Sequence, residues 1–218
     1  MLKTKETLGE YLEAASAQPI TLRALLFDLD GTLVDTMNLH FEAYRNVFLS
    51  LGGTLSREDF DRFSGPPAAT TIPRLTKASG SRNAAQLSVG CIHEKKKVAF
   101  EKILGSIELN LLPAGELLVE IRDEFQIAVV TSGNMRGAHA ILEAAGIGSF
   151  FNVVVTGDDV LNGKPDPEPY RLALERLNVC PKAGLAFEDH DKGILSAKRA
   201  GLNVLNVQSG ELHLGNSN

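Results

Sequence analysis

Five short, continuous apolar runs constrain this chain more than any other feature. They are Ala24 to Asp28 (ALLFD), Ile127 to Thr131, Asn152 to Val155, Gly184 to Phe187 and Leu202 to Val207. A strand with one wet face alternates apolar and polar residues, whereas a run without alternation belongs to a strand buried on both faces. Between the runs, Glu116–Glu124, Gly137–Ala145, Glu168–Leu177 and Gly193–Ala200 have helical character. Strands alternating with helices make βαβ units, so the expected fold class is α/β with a parallel sheet. With 218 residues, 44% of them apolar, the chain is long enough to bury such a sheet.

The interval from about 38 to 106 breaks the rhythm. It holds no convincing strand. Leu39, Tyr44, Val47 and Phe48 outline one helix there, and Val89, Ile92, Val98 and Ile103 another. Gly52-Gly53, Gly65-Pro66-Pro67 and Ser79-Gly80 punctuate it. The expected organisation is therefore an α/β domain over 1–37 and 107–218, with a helical domain over 38–106 inserted after the first strand. Residues 4–16 read as an extra amphipathic helix, with Thr4 as its cap, Leu8, Tyr11, Leu12 and Ala15 on one face, and Pro19 beyond its end.

Charge and composition narrow the partners. The net charge of −5, ten Phe, three Tyr and no Trp argue against a nucleic-acid or anionic-membrane surface. Cys91 and Cys180 are far apart and lack any metal-ligand spacing, so two free thiols in a reducing compartment are expected. No run approaches a membrane span, and Glu6, Glu10 and Glu13 interrupt the beginning of the sequence as no secretory signal would allow. The expectation is a cytoplasmic protein, most simply a monomer, whose partner is a small molecule.

Ligands of open parallel sheets bind outside the carboxyl ends of the strands. The residues just past each run are therefore informative. Asp28, Asp30, Gly31 and Thr32 come after the first, Thr131, Ser132, Gly133 and Asn134 after the second, Lys164 after the third, and Glu188 and Asp189 after the fourth. Four carboxylates, a lysine and two hydroxyls thus meet at one sheet edge. Crowded carboxylates are relieved by a hard divalent cation such as Mg²⁺, which leaves room for phosphate oxygens. A lysine and a hydroxyl suit those oxygens. One aspartate can attack phosphorus while a second donates a proton to the leaving oxygen and later takes one from water. Plainer roles exist for the same residues: Asp28 and Asp30 as turn formers, Glu188 as a cap of the next helix, Lys95–Lys97 as a solvated helix face. A calcium loop fails, because its sixth and twelfth positions from Asp28 would be Leu33 and Leu39. A phosphate loop fails at Gly157 to Lys164, where the glycine spacing is wrong and Pro165 comes after the lysine.

These residues carry a family resemblance. DLDGT with Leu33-Val34-Asp35-Thr36 after it, then Thr131-Ser132-Gly133-Asn134, Gly163-Lys164-Pro165-Asp166-Pro167 and Phe187-Glu188-Asp189 resemble the four motifs of the haloacid dehalogenase superfamily, in family order. Aspartate, aspartate, glycine and threonine at fixed positions arise by chance about once per 10⁵ positions, at roughly 1 in 20 for each residue. The similarity covers roughly residues 22–209. It implies a Rossmann-like core with an inserted α-helical cap, of the β-phosphoglucomutase and sugar-phosphate phosphatase branch. It also implies roles. Asp28 would be the nucleophile and a metal ligand, and Asp30 the general acid/base with its backbone carbonyl on the metal. Thr131 and Ser132 would hold phosphate, Lys164 would orient nucleophile and phosphate, and Asp189 with Glu188 would complete an Mg²⁺ site. Thr36 and His40 match cap-hinge positions, with hinges near 36–38 and 107–111 and a cap that closes over substrate. One departure stands out: His190 succeeds Glu188-Asp189 where the family usually has a small residue.

Mutases of this branch grip a second phosphate with a lysine just before a cap glycine and an arginine three residues after it. Around Gly65 this chain has Ser64 and Ala68. The resemblance therefore implies an Mg²⁺-dependent phosphatase of small, sugar-type phosphomonoesters working through an aspartyl-phosphate. Ser64-Gly65-Pro66-Pro67 is similar to cap loops of fructose-1-phosphate phosphatase-like members. A mutase is the alternative, with Arg62, Arg74 or Lys77 as substitute cations. A dehalogenase needs neither Mg²⁺ nor an acid at Asp30, and a non-enzymatic binding protein would not keep the full catalytic set.

Overall fold

The computed structural model describes residues 21–64 and 68–215, with Glu10 apart from them. The helix expected over 4–16 and the Gly65-Pro66-Pro67 turn lie outside the described residues. The described residues form two compact units: those up to Asp35 together with those from Leu109 on, and those of Thr36–Glu108.

The first unit is built on a six-stranded sheet. Its strands are β1 (Ala24–Phe27), β2 (Gln126–Val130), β3 (Val153–Val155), β4 (Gly184–Glu188), β5 (Asn203–Asn206) and β6 (Leu212–His213), in the order β3-β2-β1-β4-β5-β6. β1 is central and wholly buried, paired in parallel with β2 (Ala24 opposite Gln126) and with β4 (Ala24 opposite Gly184). β3 and β5 extend the parallel sheet on either side. The core is thus α/β, as the unbroken apolar runs require. β6 departs from that reading: it is antiparallel to β5 and only two residues long, too short to carry a period. Between β1 and β4, the Phe27 and Phe187 rings stack 4.4 Å apart.

The second unit contains α1 (Met37–Ser50), α2 (Arg57–Phe63), α3 (Ala68–Ser79) and α4 (Val89–Leu104). Ser56 and Ser88 cap α2 and α4 by accepting the Asp59 and Cys91 backbone N–H groups. Tyr44, Val47 and Phe48 from α1 pack with Phe60, Ile72, Leu75 and Ile92 in one cluster. The Phe60 ring lies 5.5 Å from Phe41 and 6.3 Å from Tyr44. α2 and α3 escaped the sequence reading for opposite reasons. α2 is seven residues long with Phe60 as its buried side chain, and α3 holds Pro73 in its interior, a residue that normally ends a helix. Val98, read as part of α4's apolar face, is 66% exposed instead.

Among the described residues, four helices accompany the sheet: α5 (Pro113–Ile121), α6 (Met135–Ala144), α7 (Glu168–Leu177) and α8 (Asp191–Arg199). Three begin two or three residues before the periodic pattern predicts, because their first turns are set by local chemistry. Pro113 opens α5, Asn134 caps α6 by accepting the Gly137 N–H at 2.8 Å, and His190 caps α8. Tyr170, Ala173 and Leu174 of α7 and Ile194 and Ala197 of α8 pack on Leu26, Val130 and Ala186. No helix among the described residues is long and apolar enough to cross a membrane. Cys91 and Cys180 are both free.

Candidate active site

β1 ends at Phe27, and the chain then turns sharply. The Asp28 N–H still donates to the Phe187 carbonyl at 3.0 Å, which ties the aspartate to the end of β4. Gly31 makes the turn with φ +85°, and a Cβ there would collide with Oδ2 of Asp189. Only glycine meets both demands.

Lys164 arrives at the same place from the loop after β3. Its Nζ donates to Oδ1 of Asp28 at 2.6 Å, to Oε1 of Glu188 at 2.6 Å and to the Val130 carbonyl at 2.7 Å. An ammonium has three hydrogens, and here each has an acceptor. The side chain is 6% exposed. Its loop is pinned on several sides: the Glu168 carboxylate accepts the Leu161 and Asn162 N–H groups, and Arg199 donates to the Pro165 carbonyl at 3.1 Å. The Lys164–Pro165 peptide is cis.

Charge is therefore buried in a compensated cluster. Burial works to lower the Lys164 pKa, but Asp28 and Glu188 outweigh it and hold the ammonium well above the usual lysine range. For Asp28, burial pushes the carboxyl well up; Lys164 opposes this, while Glu188 and Asp30 add to it. Burial, with Glu188 second to it, also raises Asp189. Such a group of carboxylates is poised to accept a cation.

The structure answers what caps α8. Glu188 does not; it is 1% exposed and ends β4, while the exposed His190 is the cap, its Nδ1 accepting the Lys192 N–H at 3.4 Å. The Glu188 carboxylate instead accepts from Lys164 and from the Tyr170 hydroxyl at 2.5 Å, both on Oε1. A Cβ on Gly193 would collide with Cδ and both oxygens of Glu188, so the helix start is bare where the carboxylate packs.

Asp28, Glu188 and Asp189 each offer a carboxylate oxygen within 4.8 Å of the others. The donor set is all oxygen, without His or Cys, and the two bare glycines keep side chains out of it. That fits a hard divalent cation of the Mg²⁺ class. The Asp30 carboxylate stands outside this trio; Asp30 is half-buried and its backbone bridges to Val34. Thr131 and Ser132 lie just past β2, on the same sheet edge. The buried Thr131 hydroxyl accepts the Gly133 N–H at 3.0 Å, Ser132 is exposed, and neither is a partner of Lys164. In the helical unit, His40 stacks on Phe100 at 4.6 Å and its Nδ1 lies 2.7 Å from Nζ of Lys96.

Tyr170 was absent from the sequence-derived site. It lies on the buried face of α7 with Ala173, Leu174 and Leu177, where periodicity alone marks a residue as packing. The available signal was its hydroxyl, since a tyrosine on a fully apolar face needs a partner that a phenylalanine would not. Burial, then Glu188 and Asp28, push that phenol well above its ordinary range, so it stays a donor.

Comparison with known proteins shows the family. The family model described as haloacid dehalogenase-like hydrolase matches residues 25–207. A phosphorylated carbohydrates phosphatase of Thermotoga maritima is 38% identical over 181 residues, spanning 83% of this chain and 82% of its own. The pyrophosphatase PpaX of Bacillus velezensis is 34% identical over 190 residues, with 84% and 82% covered. The crystal structure of CbbY from Rhodobacter sphaeroides in complex with phosphate superposes with a TM-score of 0.73 at 32% identity, covering 84% of this chain and 85% of that one. With its motifs gathered at one sheet edge, the chain belongs to the haloacid dehalogenase-like hydrolases.

Proposed function

We propose that the protein is an Mg²⁺-dependent phosphatase of small phosphomonoesters, sugar phosphates foremost, acting through an aspartyl-phosphate on Asp28. The observation that carries this reading is the bonded set Asp28–Lys164–Glu188 with Asp189 alongside. Asp28, Asp189 and Glu188, with the Asp30 carbonyl, would hold the cation, which supplies positive charge to the phosphoryl oxygens.

The remaining chemistry belongs to the chain. The Asp28 carboxylate attacks phosphorus; an O–P bond forms there while the ester O–P bond breaks, and Asp30 gives its proton to the departing alcohol. Water then attacks the same phosphorus, Asp30 takes its proton, and Asp28 is regenerated as inorganic phosphate leaves. Lys164 keeps its charge throughout and holds Asp28 in line. Because all three of its hydrogens are engaged, it contacts phosphate only by releasing one partner, so its first role is orientation. Thr131 and Ser132, just past β2 on the same sheet edge, would receive the phosphate oxygens.

Hydrolysis is favoured over phosphoryl return to sugar because Ser64 and Ala68 stand where a mutase would carry cations. The similarity to both a carbohydrate phosphatase and a pyrophosphatase sets the substrate panel. Phosphate release from sugar phosphates, other metabolite esters and pyrophosphate should require Mg²⁺, cease with chelator, and fall by about 10³-fold or more in Asp28→Asn. Release that survives both controls sinks the reading. Conversion of β-glucose 1-phosphate to glucose 6-phosphate, primed by the bisphosphate, would replace it with the mutase.

A further inference from the structure

Tyr170 makes two contacts in the site that no core residue needs. Its hydroxyl donates to Oε1 of Glu188 at 2.5 Å, and the face of its ring lies 5.2 Å from Nζ of Lys164. The side chain is fully buried on α7, where a phenylalanine would fill the same core volume. Lys164 also donates to Oε1, so two donors converge on one oxygen of Glu188 and neither occupies Oε2. Rotation of that carboxylate would break both bonds at once. The bare α carbon of Gly193 closes the other side.

We propose that Tyr170 is a positioning residue: it fixes Glu188 so that Oε1 belongs to Lys164 and Oε2 is kept for the cation-binding side of the site. Without the hydroxyl, Oε1 has one donor fewer and the two oxygens can exchange roles. Lys164 would then hold Asp28 less firmly, because its three hydrogen bonds are set as a group. Partners that orient metal-ligating side chains usually act in this way, through a hydrogen bond that locks the ligand. The proposal rests on the functional reading above.

Tyr170→Phe keeps the ring and removes the hydroxyl. Three readouts are compared with the wild type: Mg²⁺ binding by calorimetry with Mg²⁺ alone, kcat and KM on the best substrate of the panel, and the thermal midpoint. The expected result is Mg²⁺ affinity weaker by roughly 10-fold and kcat lower by roughly 10-fold, the effect typical of such partners, with KM changed less than about twofold. The midpoint should fall by no more than about 10 °C, as for the loss of one hydrogen bond to a charged carboxylate, because the ring still fills its place in the core. Unchanged Mg²⁺ affinity and kcat overturn the proposal, and so does a variant that fails to fold, because the hydroxyl would then serve structure alone. If the wild type binds Mg²⁺ but turns over nothing, the functional reading fails while the binding comparison still decides on Tyr170. A wild type that binds no Mg²⁺ removes both.

Discussion

The two units bury different kinds of polar group. Among the described residues of the helical unit, the buried polar side chains are hydroxyls, Thr36, Thr71, Ser79 and Ser81. Three of them donate to backbone carbonyls nearby: Thr71 to Phe63, Ser79 to Thr76 and Ser81 to Leu51. In the α/β unit the interior also holds Asp28 and Glu188 with the Lys164 ammonium between them. A bonded hydroxyl is nearly neutral in stability, whereas each buried charge costs several kcal/mol of desolvation before its partner returns any of it. The α/β unit therefore carries an arrangement that apolar packing would render more stable. Such an exception to good packing is what a reactive site looks like.

The largest break in this contrast should come from Lys164→Ala. It leaves two buried carboxylates facing each other, which should cost about 3–5 kcal/mol of stability. Phosphate release should fall by about 10³-fold, as expected if Lys164 acts together with Asp28 in the proposed reaction. Denaturant melts and turnover on the same preparation check both; a variant of wild-type stability would show that the charges are not compensating each other. Phe60→Ala tests the other side. It removes a 1%-exposed ring from the centre of the helical cluster and should cost about 3 kcal/mol, from lost apolar burial and the cavity left behind. A two-step melt, with the helical signal lost first, would sharpen the distinction between the units.

The smallest effect probes a polar clamp away from the cluster. Asp159 accepts from the Thr156 N–H and hydroxyl and from Arg176 at 2.8 Å. Burial works against its charge, but those hydrogen bonds outweigh burial and hold its carboxyl below the ordinary aspartate value. A folded-state value below the unfolded one gives stability that is present above the unfolded value and vanishes as pH falls through the folded one. Asp159→Asn should therefore cost about 1 kcal/mol at pH 7, with the gap to wild type closing as pH drops below about 4. A gap independent of pH would assign the loss to packing.

Legibility differed between the units for physical reasons. The central strands carried unbroken apolar runs, and the residues just past them, Asp28, Thr131 and Asp189, were named because a parallel sheet presents its strand ends together. Lys164 needed its motif, since nothing about a lone lysine in a loop announces burial. The features that stayed hidden depended on three-dimensional pairing: Tyr170 meeting Glu188, His190 turning back to cap its own helix, and α3 continuing through Pro73. In the helical unit, periodicity found the two long helices and missed the two whose apolar faces are short or interrupted.

The central place of β1 also has a meaning in time. Ala24 pairs with Gln126 on one edge and Gly184 on the other, and Asp28 meets Lys164 across 136 positions of sequence. At a translation rate of roughly 5–20 residues per second, β1 waits on the order of ten to thirty seconds for its second neighbour to be made. Throughout that interval a wholly apolar strand has an open edge, the situation most prone to mispairing with other chains. The strand that ends at Asp28 is synthesised early and enclosed late, so quick helix formation or a chaperone would have to shield its open edge until then.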